Sequence, residues 1–124
     1  MRLLPDTHAA LWLLMGDERL GRRAERLLKD ASNEVLLSAT VVWEVSVKRS
    51  LGKLDAPEGF ADLLLDAGAA PLAVSIEHAD AVAELPWHHR DPFDRMLVAQ
   101  ADVEQAVLVT DDERLHAYDV RVAW

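Results

Sequence analysis

The chain has 124 residues, 51% of them apolar and none of them cysteine, and its 22 acidic against 13 basic residues give a formal net charge of −9. That length supports one domain, residues 1–124, burying roughly two thirds of its unfolded surface, and the lack of cysteine excludes disulfides and thiolate zinc sites, as expected of a cytoplasmic protein. The acidic balance excludes a nucleic-acid binder that works by bulk phosphate neutralisation, although a carboxylate cluster built for divalent cations would itself be acidic.

Arg2-Leu3-Leu4 reads as a short strand that stops before Pro5, because proline cannot donate to a sheet ladder. Asp6 then caps an apolar helix that begins near Thr7 and carries Leu11, Trp12 and Leu14. Leu20, Ala24, Leu27, Leu28 and Ala31 recur at helical spacing, with Arg19, Arg22, Arg23 and Arg26 along another face. That basic stripe is either a solvated face or a contact for phosphates or an acidic partner.

Glu34 to Ser38 reads as a buried strand closed by a capping serine. The next segment is divided. Val41, Trp43, Val45 and Val47 alternate with Glu44, Ser46 and Lys48 as a half-buried strand would, yet on a helix Thr40, Glu44 and Lys48 fall on one line. Propensity alone favours the strand.

A turn-rich connection around Gly52, Pro57 and Gly59 leads to a short helix through Phe60, Leu63, Leu64 and Ala67, ended by Gly68. Pro71 to Ser75 is a third strand, and Ile76, Ala79, Val82, Ala83 and Leu85 suit a helix that Pro86 stops. Asp91-Pro92 is an N-cap followed by proline at the first helical position, which places Asp94 in the first turn beside unpaired N–H groups that favour an ionised carboxylate. Ala106 to Thr110 is the clearest strand, with Asp111 and Asp112 just past it; a helical turn through Leu115 and a last strand, Val120 to Val122, follow.

Strands that alternate with helices predict a mostly parallel sheet covered on both faces, whose ligands bind beyond the carboxyl ends of the strands. Asp6 and Asp112 follow two strands, Asp94 opens the helix that feeds one, and a helical Glu44 would reach the same rim. Four acids within ~5 Å repel by about 3 kcal/mol per pair at an effective dielectric of 20. Hard cations such as Mg²⁺ or Mn²⁺ remove that conflict and suit phosphodiester hydrolysis. No G-x-x-x-x-G-K-[ST] or G-x-G-x-x-G motif offers a phosphate loop instead. Adjacent His88 and His89 read as structural, since neighbours in an extended segment do not point the same way. Arg90 and Arg95 are candidate phosphate contacts or counter-charges for the acids. Thr7 and Thr110 either orient a ligand or bond local backbone.

The chain resembles PIN-domain proteins, specifically the VapC-type ribonuclease toxins of type II toxin–antitoxin pairs. The resemblance rests on Asp6-Thr7-His8 before an apolar helix with Trp12, on Ser38 with Val42-Trp43-Glu44, on His88 through Arg95 with Ala99-Gln100-Ala101, and on Val109 through Asp112. It implies a three-layer α/β/α sandwich with Glu44 on a helix, and Mg²⁺- or Mn²⁺-dependent RNA cleavage with Asp6, Glu44, Asp94 and Asp112 as catalytic metal ligands. It further implies a homodimer and a cognate antitoxin that covers the site. Asp111 stands where the family usually has a small residue, so either Asp111 or Asp112 is the fourth ligand; the Thr-x-Asp pattern favours Asp112, and Asp91 is an N-cap that can assist Asp94.

The reading from another class is a PIN-like binding module that acts through partner association, its acids serving only as caps. Glu44, amid Val42, Trp43 and Val45, has no capping role. Replacing it with Gln is therefore expected to abolish activity with stability unchanged or raised, by relieving repulsion.

Overall fold

Leu3 and Leu4 are adjacent, both fully buried, and belong to different cores, as successive residues of a strand covered on both faces must. Val107, Leu108 and Val109 repeat the alternation, with only Leu108 joining Leu4. A computed structural model describes Met1–Trp124, and its elements run β1 (Arg2–Pro5), α1 (Thr7–Met15), α2 (Arg22–Lys29), β2 (Glu34–Ser38), α3 (Ala39–Ser50), α4 (Phe60–Asp66), β3 (Ala70–Leu72), α5 (Ile76–Ala81) with a 3-10 turn Val82–Glu84, α6 (Pro92–Glu104), β4 (Val107–Val109), α7 (Glu113–His116) and β5 (Val122–Ala123).

The five strands are all parallel, in the order β3-β2-β1-β4-β5. The expected α/β/α sandwich is what forms. The larger core packs Leu36, Val41, Val45, Phe60, Leu97, Val98 and Leu108 between the sheet and α3, α4 and α6; the smaller packs Leu20, Ala24 and Leu28 around α2 on the other face. Parallel order puts every strand's carboxyl end at one edge, where α1, α3 and α7 begin.

Pro5 lies within β1 rather than beyond it, paired with Val109. The β1–β2 register extends only to Leu3 and Val35, while the β1–β4 ladder continues and the Asp6 N–H donates to the Val109 carbonyl at 3.0 Å. Alternate amides of a strand face alternate neighbours, so the N–H that Pro5 lacks faces the side where pairing has already ended. Other boundaries move slightly: β3 and β5 are short, and α5 breaks to a 3-10 turn before Leu85.

The divided segment is a helix. Val41 and Val45, one turn apart, are buried against the larger core, whereas Trp43 is 60% exposed. The helix starts because Ser38 accepts from the Thr40 N–H and donates its own hydroxyl to the fully buried Gln100 of α6. This contact comes from 62 residues away, out of reach of local propensity.

Candidate active site

Four N-caps define the rim of the sheet. Asp6 accepts from the Ala9 N–H at 2.9 Å, Asp91 from the Asp94 N–H at 3.1 Å, Asp112 from the Arg114 N–H at 3.0 Å, and Ser38 opens α3. Each carboxylate therefore holds a helix in place and faces its neighbours across the rim. Asp6, Glu44, Asp94 and Asp112 line one cleft of about 440 Å³, together with Thr7, His8, Lys48, His89, Asp91, Asp111 and Arg114. No apolar residue lines it. A larger apolar groove near Leu13, Leu28 and Leu64 involves none of these groups.

Glu44 is buried, and both of its oxygens are engaged: the Thr7 hydroxyl donates to Oε1 at 2.5 Å and Lys48 Nζ lies 2.6 Å from Oε2. Thr7 thus bonds an acid of the site rather than local backbone. The hydrogen bond and charge of Glu44 push the Lys48 ammonium up, against its partial desolvation. The sequence-based expectation for Glu44→Gln changes accordingly, because Glu44 is not an unpaired charge. The variant is expected to lose roughly 1 kcal/mol of stability in EDTA, measured by urea unfolding, and adding Lys48→Met is expected to recover most of it.

Asp94 departs further from expectation. Its place in the first turn of α6 favours ionisation, yet its carboxyl is pushed up to about 7, first by burial and then by the charges of Asp91, Glu44, Asp6 and Asp112. Asp6, more deeply buried, is also raised by desolvation, which outweighs the hydrogen bonds from Thr110 and Ala9. Asp112 goes the other way. Partial desolvation acts to raise it, but hydrogen bonds from the Arg114 side chain and backbone hold it below the usual carboxylate range.

His89, read from sequence as structural, stands between two of the acids. Its Nε2 is 3.1 Å from Asp94 Oδ2 and 3.1 Å from Asp112 Oδ2, and the three ligand-type atoms lie within 4.8 Å of one another. Only a register argument could have found it: α6 is capped by Asp91, and His89, two residues before that cap, accepts the Asp91 N–H at Nδ1. His88 stays outside, exposed and packed edge-on against Tyr118.

Other candidates do not reach the cleft. Arg95 is 3% exposed and donates to backbone carbonyls under the Val82–Glu84 turn, so it neither contacts phosphate nor balances the acids. Arg90 is exposed and does not line the cleft. Arg19 precedes α2 rather than belonging to its stripe; it pairs with Asp17 and lies over the Trp12 ring. Thr110 is fully buried and accepts from the Asp112 N–H, which aims that residue. Asp111 is exposed on the cleft wall, where its charge adds to the upward push on Asp6.

An acid raised first by burial and then by the charges of its neighbours, in a cleft where oxygen donors predominate, suits a hard divalent cation, which relieves the like-charge part of that push. The donor set fits Mg²⁺ or Mn²⁺ on these grounds. No helix is long and apolar enough to cross a membrane.

The sequence pattern described as PIN domain matches residues 3–121. Ribonuclease VapC16 of Mycobacterium tuberculosis is 38% identical over 56 residues, an alignment that spans 42% of this chain and 40% of that relative's length. Among solved structures, VapBC2 from Rickettsia felis bound to a DNA fragment from its promoter superposes with a TM-score of 0.71 at 15% identity, covering 99% of this chain and 98% of that one. DNA-bound VapBC from Salmonella typhimurium gives 0.70 at 16%, covering 99% and 97%. A toxin–antitoxin complex from Klebsiella pneumoniae gives 0.66 at 20%, covering 98% and 96%. At such identities the structural likeness is one of fold.

Proposed function

Because the chain belongs to the PIN domain family, we propose that it is a metal-dependent endoribonuclease, the toxin of a type II toxin–antitoxin pair, which hydrolyses RNA phosphodiester bonds. The observation that carries this reading is the cleft without apolar lining, in which Asp94, pushed up to about 7 by burial first and by neighbouring carboxylates second, meets Asp6, Glu44 and Asp112. Such crowding costs stability and is tolerated where function uses it.

Asp6, Glu44, Asp94 and Asp112 would hold Mg²⁺ or Mn²⁺. Bound there, the cation supplies Lewis-acid stabilisation of phosphoryl charge and a more acidic attacking water. Lys48 and Arg114, the cationic side chains of the cleft, contact the scissile phosphate and offset charge that builds on it. Asp91 and Asp111 keep the rim acidic. Cleavage takes place in exposed single-stranded RNA, whose backbone can be splayed into an open cleft.

The remaining features of the reading are residues 1–124 as one PIN-like domain, a cytoplasmic homodimer, and a cognate antitoxin that covers the cleft. The names of relatives, a ribonuclease and a toxin–antitoxin complex, support the nuclease and the antitoxin.

The test is cleavage of a mixed cellular RNA pool by antitoxin-free protein in Mg²⁺, Mn²⁺ or EDTA, paired with calorimetric Mg²⁺ titration. Cleavage with either ion that stops in EDTA and returns on adding the ion is the expected result. If the protein neither cuts nor binds Mg²⁺, it is a binding module and the nuclease reading falls.

A further inference from the structure

The ring of His89 is fixed by more than its two carboxylate contacts. Its Nδ1 lies 3.0 Å from the Asp91 backbone nitrogen, and a backbone N–H can only donate. Nδ1 must therefore present its lone pair there, which in a neutral imidazole leaves the hydrogen on Nε2. That nitrogen is hydrogen-bonded to Asp112 Oδ2 at 3.1 Å and stands 3.1 Å from Asp94 Oδ2. Turning the ring over would put carbon at both nitrogen positions and lose all three contacts.

The segment that carries the ring is itself anchored. The His89 N–H donates to the Tyr118 hydroxyl at 3.0 Å, and Arg95 Nη1 reaches both that hydroxyl and the His89 carbonyl, at 3.3 and 3.5 Å. The residue is 7% exposed. Its donor is thus presented by a held backbone rather than by a mobile surface loop.

We propose that His89 is a positioning residue of the site and not a metal ligand: its Nε2–H, selected by the Asp91 backbone amide, donates to Asp112 Oδ2 and so holds that carboxylate beside Asp94. The inference rests on the reading of the cleft as a cation site. A ligating imidazole needs a free lone pair on the nitrogen that faces the ion, and the lone pair of His89 is committed to Asp91. Removing it from the donor set leaves oxygen alone, which selects hard cations over zinc or iron. One His and two carboxylates would otherwise look like a transition-metal triad.

The experiment uses the full chain labelled with ¹⁵N, with imidazole nitrogens followed by long-range ¹H–¹⁵N correlation before and after saturating Mg²⁺. The expected result is a His89 signal of the Nε2–H form in both states. Loss of the Nε2 hydrogen on Mg²⁺ addition, with Nε2 becoming the coordinated nitrogen, would overturn the proposal. Calorimetric titration gives the second readout. His89→Ala is expected to weaken Mg²⁺ binding about tenfold or more, in the range of lost outer-shell partners, and His89→Gln, whose amide retains an N–H donor, to recover part of it. Unchanged Mg²⁺ affinity in His89→Ala also counts against it, as does a variant that loses Zn²⁺ binding alone. If the unaltered protein binds no Mg²⁺, the cation reading itself fails, an outcome separate from a bound ion coordinated by His89.

Discussion

In EDTA at pH 8, Asp94→Asn is expected to unfold at a higher temperature than the unaltered protein, and in Mg²⁺ to cut RNA at least about a hundredfold more slowly. Both effects have one cause. The Asp94 carboxyl is raised from 3.8 to about 7, by burial first and by four neighbouring acids second. Between those values the folded protein keeps a proton that the unfolded chain has released. Stability is therefore highest below about 3.8 as far as this group is concerned, falls as pH rises through the window, and carries the full penalty above about 7. The shift taken at face value is about 4 kcal/mol; discounted for solvent that reaches the side chain, about 2 kcal/mol is expected. That is several degrees for a chain of this size.

Asparagine has nearly the same shape and leaves the backbone N–H donated to Asp91 untouched, so it removes the charge without removing the helix cap. Melting curves from pH 4 to pH 8 in EDTA are the check. The two proteins should converge at the acid end and separate with rising pH. Mg²⁺ should then stabilise the unaltered protein and leave the variant where it was. A variant less stable than its parent at pH 8 would mean that Asp94 is not crowded by charge.

Arg95→Leu is expected to cost roughly 3 kcal/mol, because it leaves several buried carbonyls without donors. The guanidinium donates to the carbonyls of Pro86 at 2.9 Å, Val82 at 3.2 Å and Leu85 at 3.3 Å, and lies 3.7 Å from the centroid of the Trp87 ring. No carboxylate shares it; the charge is matched by backbone dipoles at the end of a 3-10 turn. Leucine leaves those carbonyls buried without donors, and lysine, a point charge, does not reproduce the planar fork. Urea unfolding is the measurement, with Arg95→Lys recovering less than half of the loss. An Arg95→Leu protein that unfolds at the original midpoint but binds RNA weakly would instead make Arg95 a phosphate contact.

What separates these two residues from their sequence readings is distance along the chain. Asp94 looked like a charge welcomed by a helix terminus because one local effect was visible; the desolvation and the three acids from other elements that outweigh it were not. Arg95 sits one residue away from that acid and points to the other side of the helix, into carbonyls contributed by the preceding segment. Histidines side by side diverge, which makes His89 read as structural from sequence, and they do diverge here: His88 goes to solvent and His89 to the acids.

By itself the sequence determined whatever depends on neighbours within a few residues: the strands that lead to Asp6, Ser38 and Asp112, the caps at Asp6, Ser38 and Asp91, and hence the parallel α/β order that brings Asp6, Asp94 and Asp112 to one rim. Capping geometry and strand burial are local, so composition and spacing encode them. Tertiary structure alone decided the rest. It made α3 a helix against its alternating valines, because Gln100 of α6 receives the hydroxyl of Ser38 and the larger core takes Val41 and Val45. It paired Glu44 with Thr7 across two helices, raised Asp94 to about 7, and aimed His89 between two carboxylates. Those outcomes depend on desolvation and on charges supplied by elements far away in the chain, which exist only once the sheet has closed.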